Sequence, residues 1–362
     1  MNDFKPTRRR FLRTSAGALA APLAAPYVFT ADAEERAKPR SKNDRFRVGA
    51  IGMRYQGTVI TDHATAFGDV VAIADVDRQI GQKAVEHFGA KATLCEDYRK
   101  LLDRSDVDVV MIGSPDHWHT AMAAAACRAG KDVYCEKPLT LTIDEGKLLK
   151  RVVKQTGRVF QVGSRFRSDH VKRLACETVA AGRIGKLRRV VVGVGKNPQG
   201  GPFQTEQPPP HLNWDAWLGQ APLVPYTKQR CHFTFRWWYE YAGGKMADIG
   251  AHVLDLAQWG MGMQHSGPVE IEAVATFPSA ENGYNVATSF EVRFRYADGV
   301  ELWTGDGLPG GVRFEGQLGW IHGRRGEING QKLDLLKDDP IPREKYRLYA
   351  HDNLSRPLRS GN

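Results

Sequence analysis

A lysine sits between a glutamate and a proline at Glu136-Lys137-Pro138, directly after a short expected strand, 132–135. An ammonium placed where a buried strand ends costs desolvation unless it has a partner or a task, so Lys137 is the first candidate for chemistry. A second group is Asp248, His252 and Asp255, spaced so that a helix carries all three on one face. Three readings of that group compete: a general base oriented by a carboxylate, a metal site needing further ligands from elsewhere, or a capped helix with a surface histidine. The preceding Gly243-Gly244 supports the first, because glycines let backbone approach a ligand closely. A third group is Gly52-Met53-Arg54-Tyr55-Gln56-Gly57, with Asp75 placed 23 residues after Gly52. Its glycines and its acidic residue match a dinucleotide fingerprint whose middle glycine has become Arg54. Gly52 permits the tight turn and Gly57 lets a helix pack on a strand, while Arg54 either shifts the backbone or neutralises phosphate. Asp75 accepts from ribose hydroxyls and repels a 2′-phosphate, which favours NAD, and nearby Arg78 keeps NADP open.

The elements that must hold these groups alternate. Strands are expected over 47–51, 70–74, 107–112, 132–135 and 159–163, and helices over 59–67, 79–88, 98–102, 120–129 and 143–156. Such alternation implies a parallel doubly wound sheet, in which ligands bind beyond the carboxyl ends of the strands. That edge collects Gly52, Asp75, Ser114 and Lys137. His117 and His119 read as turn residues beside Pro115-Asp116 that contact a cofactor. After a helix over 171–181 the alternation stops. Seven runs between 187 and 328, joined by Gly, Asn and Asp turns, read as an antiparallel sheet, and Ser289 to Tyr296 alternates as a half-exposed strand does. Within this part lies a Pro- and Trp-rich insert, 196–244, long enough to carry function.

The chain has 362 residues, which favours two domains. Its formal charge of +10 is not concentrated in a basic run, so nucleic-acid binding is not expected. The five cysteines are scattered, with no C-x-x-C pair, and suggest neither disulfides nor zinc. Residues 7–13, TRRRFLR, and the apolar stretch after them read as a twin-arginine export signal ending near Ala31-Asp32-Ala33. That stretch is too short and alanine-rich for stable membrane insertion. The organisation expected is a signal over 1–33, a charged linker over 34–44, a dinucleotide-binding domain over 45–165, a substrate and oligomerisation domain over 166–340, and an irregular tail over 341–362.

From Phe46 to Leu336 the chain resembles the glucose-fructose oxidoreductase, inositol dehydrogenase and rhizopine-catabolism (Gfo/Idh/MocA) family of NAD(P)-dependent oxidoreductases. The segments that carry the resemblance are VGAIGMRYQG, VAIADVDR, SPDHWHTAMAAAACRAGKDVYCEKPLT, QVGSRFRSD and FRWWYEYAGGKMADIGAHVLDLAQWG, and NWDAWLG resembles the family's exported branch. The resemblance implies a Rossmann-type doubly wound parallel sheet followed by an α+β domain with an open, mainly antiparallel sheet. It also implies that Gly52, Gly57 and Asp75 hold the adenosine half of NAD; Met53 and Arg54 of the same loop are further cofactor-binding candidates, and Arg54 departs from the family's glycine. By the same resemblance Ser114, Pro115, Asp116 and His119 line the nicotinamide ribose side, and Asp116 stands where asparagine is more usual. Glu136 and Lys137 lie beside the nicotinamide, with Asp248 and His252 facing Lys137. A homo-oligomer is implied too. The family continues with a helical segment after the sheet, whereas this chain ends in HDNLSRPLRSGN, which leaves a truncated gene product open.

Three functions follow as alternatives. The first is an exported dehydrogenase of a sugar, polyol or sugar acid, with Lys137, Asp248 and His252 catalytic, Arg165, Arg236 and Tyr239 on the substrate, and no metal. Trp237 and Trp238 are further sugar-binding candidates, with packing as their plainer role. The second keeps NAD bound and ends without net redox change. The third is a non-catalytic sensor on the same fold.

Overall fold

The computed structural model describes residues 45–331 apart from 90, 325 and 326, together with 341, 346 and 348. The twin-arginine segment, the linker 34–44 and nearly all of the tail lie outside the described residues. Among the described residues no helix is long and apolar enough to cross a membrane.

The first half forms one parallel sheet of order β3-β2-β1-β4-β5-β6. Its strands are β1 (Phe46–Ile51), β2 (Gly68–Ala74), β3 (Thr93–Cys95), β4 (Val109–Ile112), β5 (Asp132–Cys135) and β6 (Phe160–Val162). The helices between them are α1 (Gln56–Ala64), α2 (Arg78–Phe88), α3 (Tyr98–Leu102), α4 (Asp116–Arg128) and α5 (Ile143–Thr156). The strands are apolar on both faces because both are covered. Val48, Ala50 and Ile73 pack into one core, and Ala72, Val110 and Ile112 into the other. Local sequence sets several helix ends. Asp77 accepts from the N–H groups of Gln79 and Ile80 to start α2. Thr142 and Glu145 form a reciprocal capping box at α5, which ends at left-handed Gly157. The order reverses between β1 and β4, the crevice where doubly wound sheets bind ligands.

A 3-10 turn (Arg165–Ser168) and α6 (His170–Ala180) lead into the second half. There β7 (Leu187–Gly193), β8 (Glu270–Thr276), β9 (Ser289–Arg295), β10 (Glu301–Gly305), β11 (Gly311–Gly316), β12 (Trp320–Arg324) and β13 (Glu327–Gly330) form one sheet, order β13-β12-β11-β7-β10-β9-β8. All neighbours are antiparallel except β7 and β10. One face of the sheet buries Val190, Val192, Leu302 and Phe314 against Ala175, Leu256 and Trp259 of the helices. The insert between β7 and β8 has its own core of Trp214, Trp217, Trp238 and Tyr241, joined by Tyr284 from the connection between β8 and β9. It carries the short α7 (Trp214–Leu218) and α8 (Gly244–Asp248), followed by α9 (Gly250–Gly260).

Two expectations are corrected here. Helix α4 begins at Asp116, four residues before the alanine run, so 116–119 are helical rather than a turn. Residues 117 and 119 of a helix point to different sides, and His117 turns away from the crevice: it is buried, with Nε2 3.1 Å from the Trp217 carbonyl and its ring between Trp217 and Tyr241. The helix carrying Asp248 and His252 breaks at Ile249. Asp255 does not join the other two; Arg167 takes both its carboxylate oxygens at 2.7 and 2.6 Å.

Candidate functional site

A cleft of about 1010 Å³ runs along the carboxyl edge of the parallel sheet and is closed by residues of the second half. At one end, β1 passes into a left-handed Gly52 (φ 77°), where a Cβ would lie 2.7 Å from the Ser114 nitrogen. A Cβ on Gly57 would lie 1.7 Å from the Gly52 carbonyl oxygen, so Gly57 serves the packing of α1 on the sheet and does not itself line the cleft. Asp75 binds the loop between them: its Oδ2 accepts from the Met53 N–H at 2.7 Å and its Oδ1 from the Asp77 N–H at 2.9 Å. Each carboxylate oxygen keeps a second lone pair for a ligand hydroxyl. Burial pushes the Asp75 carboxyl up to about 6, against the pull of those two N–H groups. The Met53 side chain packs into the core beside Ile60, so its share in the site is its N–H alone. Arg54 lines the cleft and is exposed, and α1 starts with no side-chain cap. A free helix N-terminus and a guanidinium on one crevice suit a phosphate. Arg78 is outside the cleft lining and gives its Nη2 to the Pro210 carbonyl at 2.5 Å.

Further along, Ser114, Pro115, Asp116, His119, Glu136 and Lys137 all line the cleft. Both ring nitrogens of His119 face carbonyl oxygens, Ser114 at 2.8 Å and Pro138 at 2.6 Å, and so connect the ends of β4 and β5. Glu136 accepts from the Gln56 amide at 2.9 Å and from the Lys137 N–H at 3.1 Å, which ties β5 to the start of α1. Asp116 is buried, and burial raises its carboxyl to about 7 although Lys137 and Arg236 pull it down.

The opposite wall comes from α8 and α9. Lys137 Nζ donates to Asp248 Oδ1 at 2.6 Å and to the Asp248 carbonyl at 3.1 Å, leaving one of its three N–H groups for a ligand. Arg236 Nε lies 3.5 Å from the same Oδ1. Burial pushes the Asp248 carboxyl up, but the charge and hydrogen bond of Lys137, with Arg236 and Lys245, outweigh it and hold it below the usual range. His252 is buried, stacked on Phe166 with ring centroids 4.2 Å apart, and its Nδ1 has no partner. Burial, then the charges of Lys137 and Arg165, push its imidazolium down to about 3 against the opposing pull of Asp248, so the ring is a neutral acceptor.

Of the substrate candidates, Arg165 and Arg236 line the cleft. Tyr239 does not: it is half-exposed elsewhere, with its ring 6.0 Å from that of Phe277. Trp237 and Trp238 are buried in the insert's core. Gly244, expected to approach a ligand, instead comes close to Asn197, whose Oδ1 a Cβ there would meet at 2.7 Å. Sequence reasoning did not single out Phe166, Phe233 and Phe235 at the substrate end, or Tyr98, Trp118 and Trp217 at the other, which also line the cleft. For Trp217, Phe233 and Phe235 the only signal was the aromatic density of the insert; Tyr98, Trp118 and Phe166 lie outside it.

The insert also reaches back across the adenosine end. Leu212 forms an antiparallel bridge with Asp77, the Arg78 N–H donates to the His211 carbonyl at 2.9 Å, and the Asn213 N–H donates to the Val76 carbonyl at 2.9 Å. Asn213 Nδ2 donates to Glu96 at 2.6 Å, and Trp118 Nε1 to the Trp217 carbonyl at 2.8 Å. Residues 209–220 thus form a strap fastened on both sides of the crevice.

The glycine contacts, the pinned loop and a carboxylate at the end of β2 fit a dinucleotide. Comparison with known proteins agrees. Residues 46–164 match the profile of an oxidoreductase family with an NAD-binding Rossmann fold, and 194–337 match that family's C-terminal alpha/beta domain. The chain is 29% identical over 191 residues to levoglucosan dehydrogenase of Pseudarthrobacter phenanthrenivorans, covering 52% of this chain and 42% of that one. It is 29% identical over 253 residues to inositol 2-dehydrogenase 1 of Saccharopolyspora erythraea, covering 66% and 69%. The match therefore spans about two fifths to about two thirds of these relatives' lengths. A solved levoglucosan dehydrogenase, in complex with NADH and levoglucosan, shares the fold with a TM-score of 0.61 at 22% identity, covering 79% of this chain and 76% of that one. The chain belongs to the Gfo/Idh/MocA oxidoreductase family, and its first half is that family's NAD-binding Rossmann domain.

Proposed function

We propose that the protein is an NAD-dependent oxidoreductase acting on a hydroxyl carbon of a carbohydrate or cyclic polyol. The observation that carries this is the 2.6 Å contact between Lys137 and Asp248, which joins the end of β5 to the second half with His252 one helical turn further on. Relatives named for levoglucosan and inositol oxidation support the substrate class. NAD held along Gly52, Arg54 and Asp75 would supply the hydride acceptor for the substrate C–H bond. The protein handles the proton. The free N–H of Lys137 donates to the substrate oxygen, and Asp248 fixes the direction of that donor. His252, neutral at every physiological pH, accepts the hydroxyl proton. With its imidazolium held near 3 it is a weak base in the ligand-free cleft, so transfer becomes favourable only as negative charge develops on the neighbouring oxygen. Replacing Lys137 with Met tests the assignment: turnover is lost while NADH still binds, and unchanged turnover refutes it.

A second reading, in which NAD stays bound through a redox-neutral cycle, is favoured by the strap 209–220. Its hydrogen bonds must break before the adenosine half can leave, which slows exchange. Export along a twin-arginine route, inferred from residues 7–13, would carry NAD out already loaded. Purified protein should then retain stoichiometric NAD through extensive dialysis and cleave a glycosidic substrate without added cofactor. Cofactor that washes out freely rules this reading out.

A further inference from the structure

Among the described residues, several cations around the substrate end of the cleft are matched with oxygens. Lys137 and Arg236 share Asp248. Arg167 is held by Asp255, and Lys172 Nζ by Asp169 at 2.6 Å. Arg165 lines the same cleft, is exposed, and its guanidinium has no hydrogen-bond or ion-pair partner among the described residues. Its guanidinium carbon lies 6.0 Å from the centre of the Phe166 ring, and that ring stacks on His252 at 4.2 Å. The unmatched charge is therefore one aromatic ring away from the proton acceptor.

Resting on the oxidoreductase reading above, we propose that the substrate is an anionic sugar whose carboxylate or phosphate is bound by Arg165. A guanidinium presents a planar fork of donors that suits either group and stays charged throughout the accessible pH range. Several features agree with an anion at this place. Asp248 is already committed to two cations, so it cannot serve Arg165 as well. Burial is the main cause of the depression of His252, and Lys137, Arg165 and Lys172 add to it against Asp248; an anion beside Arg165 offsets the part that Arg165 contributes. That raises the basicity of His252 only when the right substrate is present. Sugar recognition and activation of the base then come from one group on the ligand.

The test compares glucuronate, galacturonate, gluconate and glucose 6-phosphate with glucose, galactose and glucuronamide, measuring kcat and KM with saturating NAD and binding to the NADH-loaded protein. At least one anion should exceed its uncharged counterpart tenfold or more in kcat/KM, with the acids and the phosphate ester showing which group is read. Arg165→Met should reduce that ratio at least tenfold, mainly through KM, and Arg165→Lys should restore part of it. Added salt should narrow the ratio in the native protein. Uncharged sugars handled as well as the anions, or a ratio unmoved by Arg165→Met, overturn the proposal and leave the oxidoreductase reading standing. If no sugar of either kind binds or turns over, the oxidoreductase reading itself fails.

Discussion

Asp116 offers the sharpest quantitative test of the electrostatics of the cleft. Its carboxyl is buried at the first turn of α4 and titrates at about 7, whereas the unfolded chain releases that proton near 3.8. A raised carboxylate means that the folded state binds the proton more tightly, so stability is full below about pH 4 and falls as pH rises towards 7. The slope is about 1.4 kcal/mol per pH unit in that window, and the total loss is roughly 4 kcal/mol. Asp116→Asn keeps the shape and removes the titration. The variant should therefore gain on the native protein by roughly 3 kcal/mol between pH 5 and pH 8, with no further gain above pH 8. Urea denaturation of cofactor-free protein at pH 5, 6, 7 and 8 measures the gap. A gap that stays constant over this range refutes the reasoning, since it means that Asp116 is ionised throughout in the folded protein.

Three further outcomes follow. Gly57→Ala puts a Cβ 1.7 Å from the Gly52 carbonyl oxygen, so the loop must shift; NADH affinity should fall at least tenfold and stability by about 1–3 kcal/mol, and an unaltered NADH titration contradicts this. Trp118→Phe removes the donor that fastens the strap at the Trp217 carbonyl; stopped-flow displacement should show NADH leaving several times faster, and an unchanged rate shows that the strap does not gate release. Asp255→Ala removes two of the three acceptors of the Arg167 guanidinium, leaving Gln264 Oε1, and should cost about 2 kcal/mol in urea unfolding without moving the pH profile of turnover; a displaced profile returns Asp255 to the reaction.

The parallel half was readable because its strands are buried on both faces and its helices carry their own end signals. The Thr142 and Glu145 capping box with Gly157 fixes both ends of α5 at the expected residues. Strand β3 was not seen, since Thr93 to Cys95 is three residues with no alternation to detect. The start of α4 was misplaced because Asp, His and Trp have weaker helix propensity than the alanines after them; the helix nevertheless begins at Asp116, directly after Pro115. Lys137 was legible as a charge where a strand ends. Its partnership with Asp248 was carried only by family resemblance, because a separation of 111 residues leaves no local trace. Asp255 misled for the opposite reason: correct helical spacing from Asp248 says nothing about an arginine arriving from another element. Tyr239, Trp237 and Trp238 show that aromatic density marks the insert without telling packing from lining.

The strand order of the second sheet sets a sequence of events during synthesis. The parallel sheet is complete once Val162 has been made. Strand β7, by contrast, lies at the centre of its sheet between β10 and β11, so Val190 waits for Leu302 and Phe314, more than a hundred residues downstream. Pairings of such separation form late. All strands of the dinucleotide half are thus synthesised before the partners of β7 that complete the second sheet.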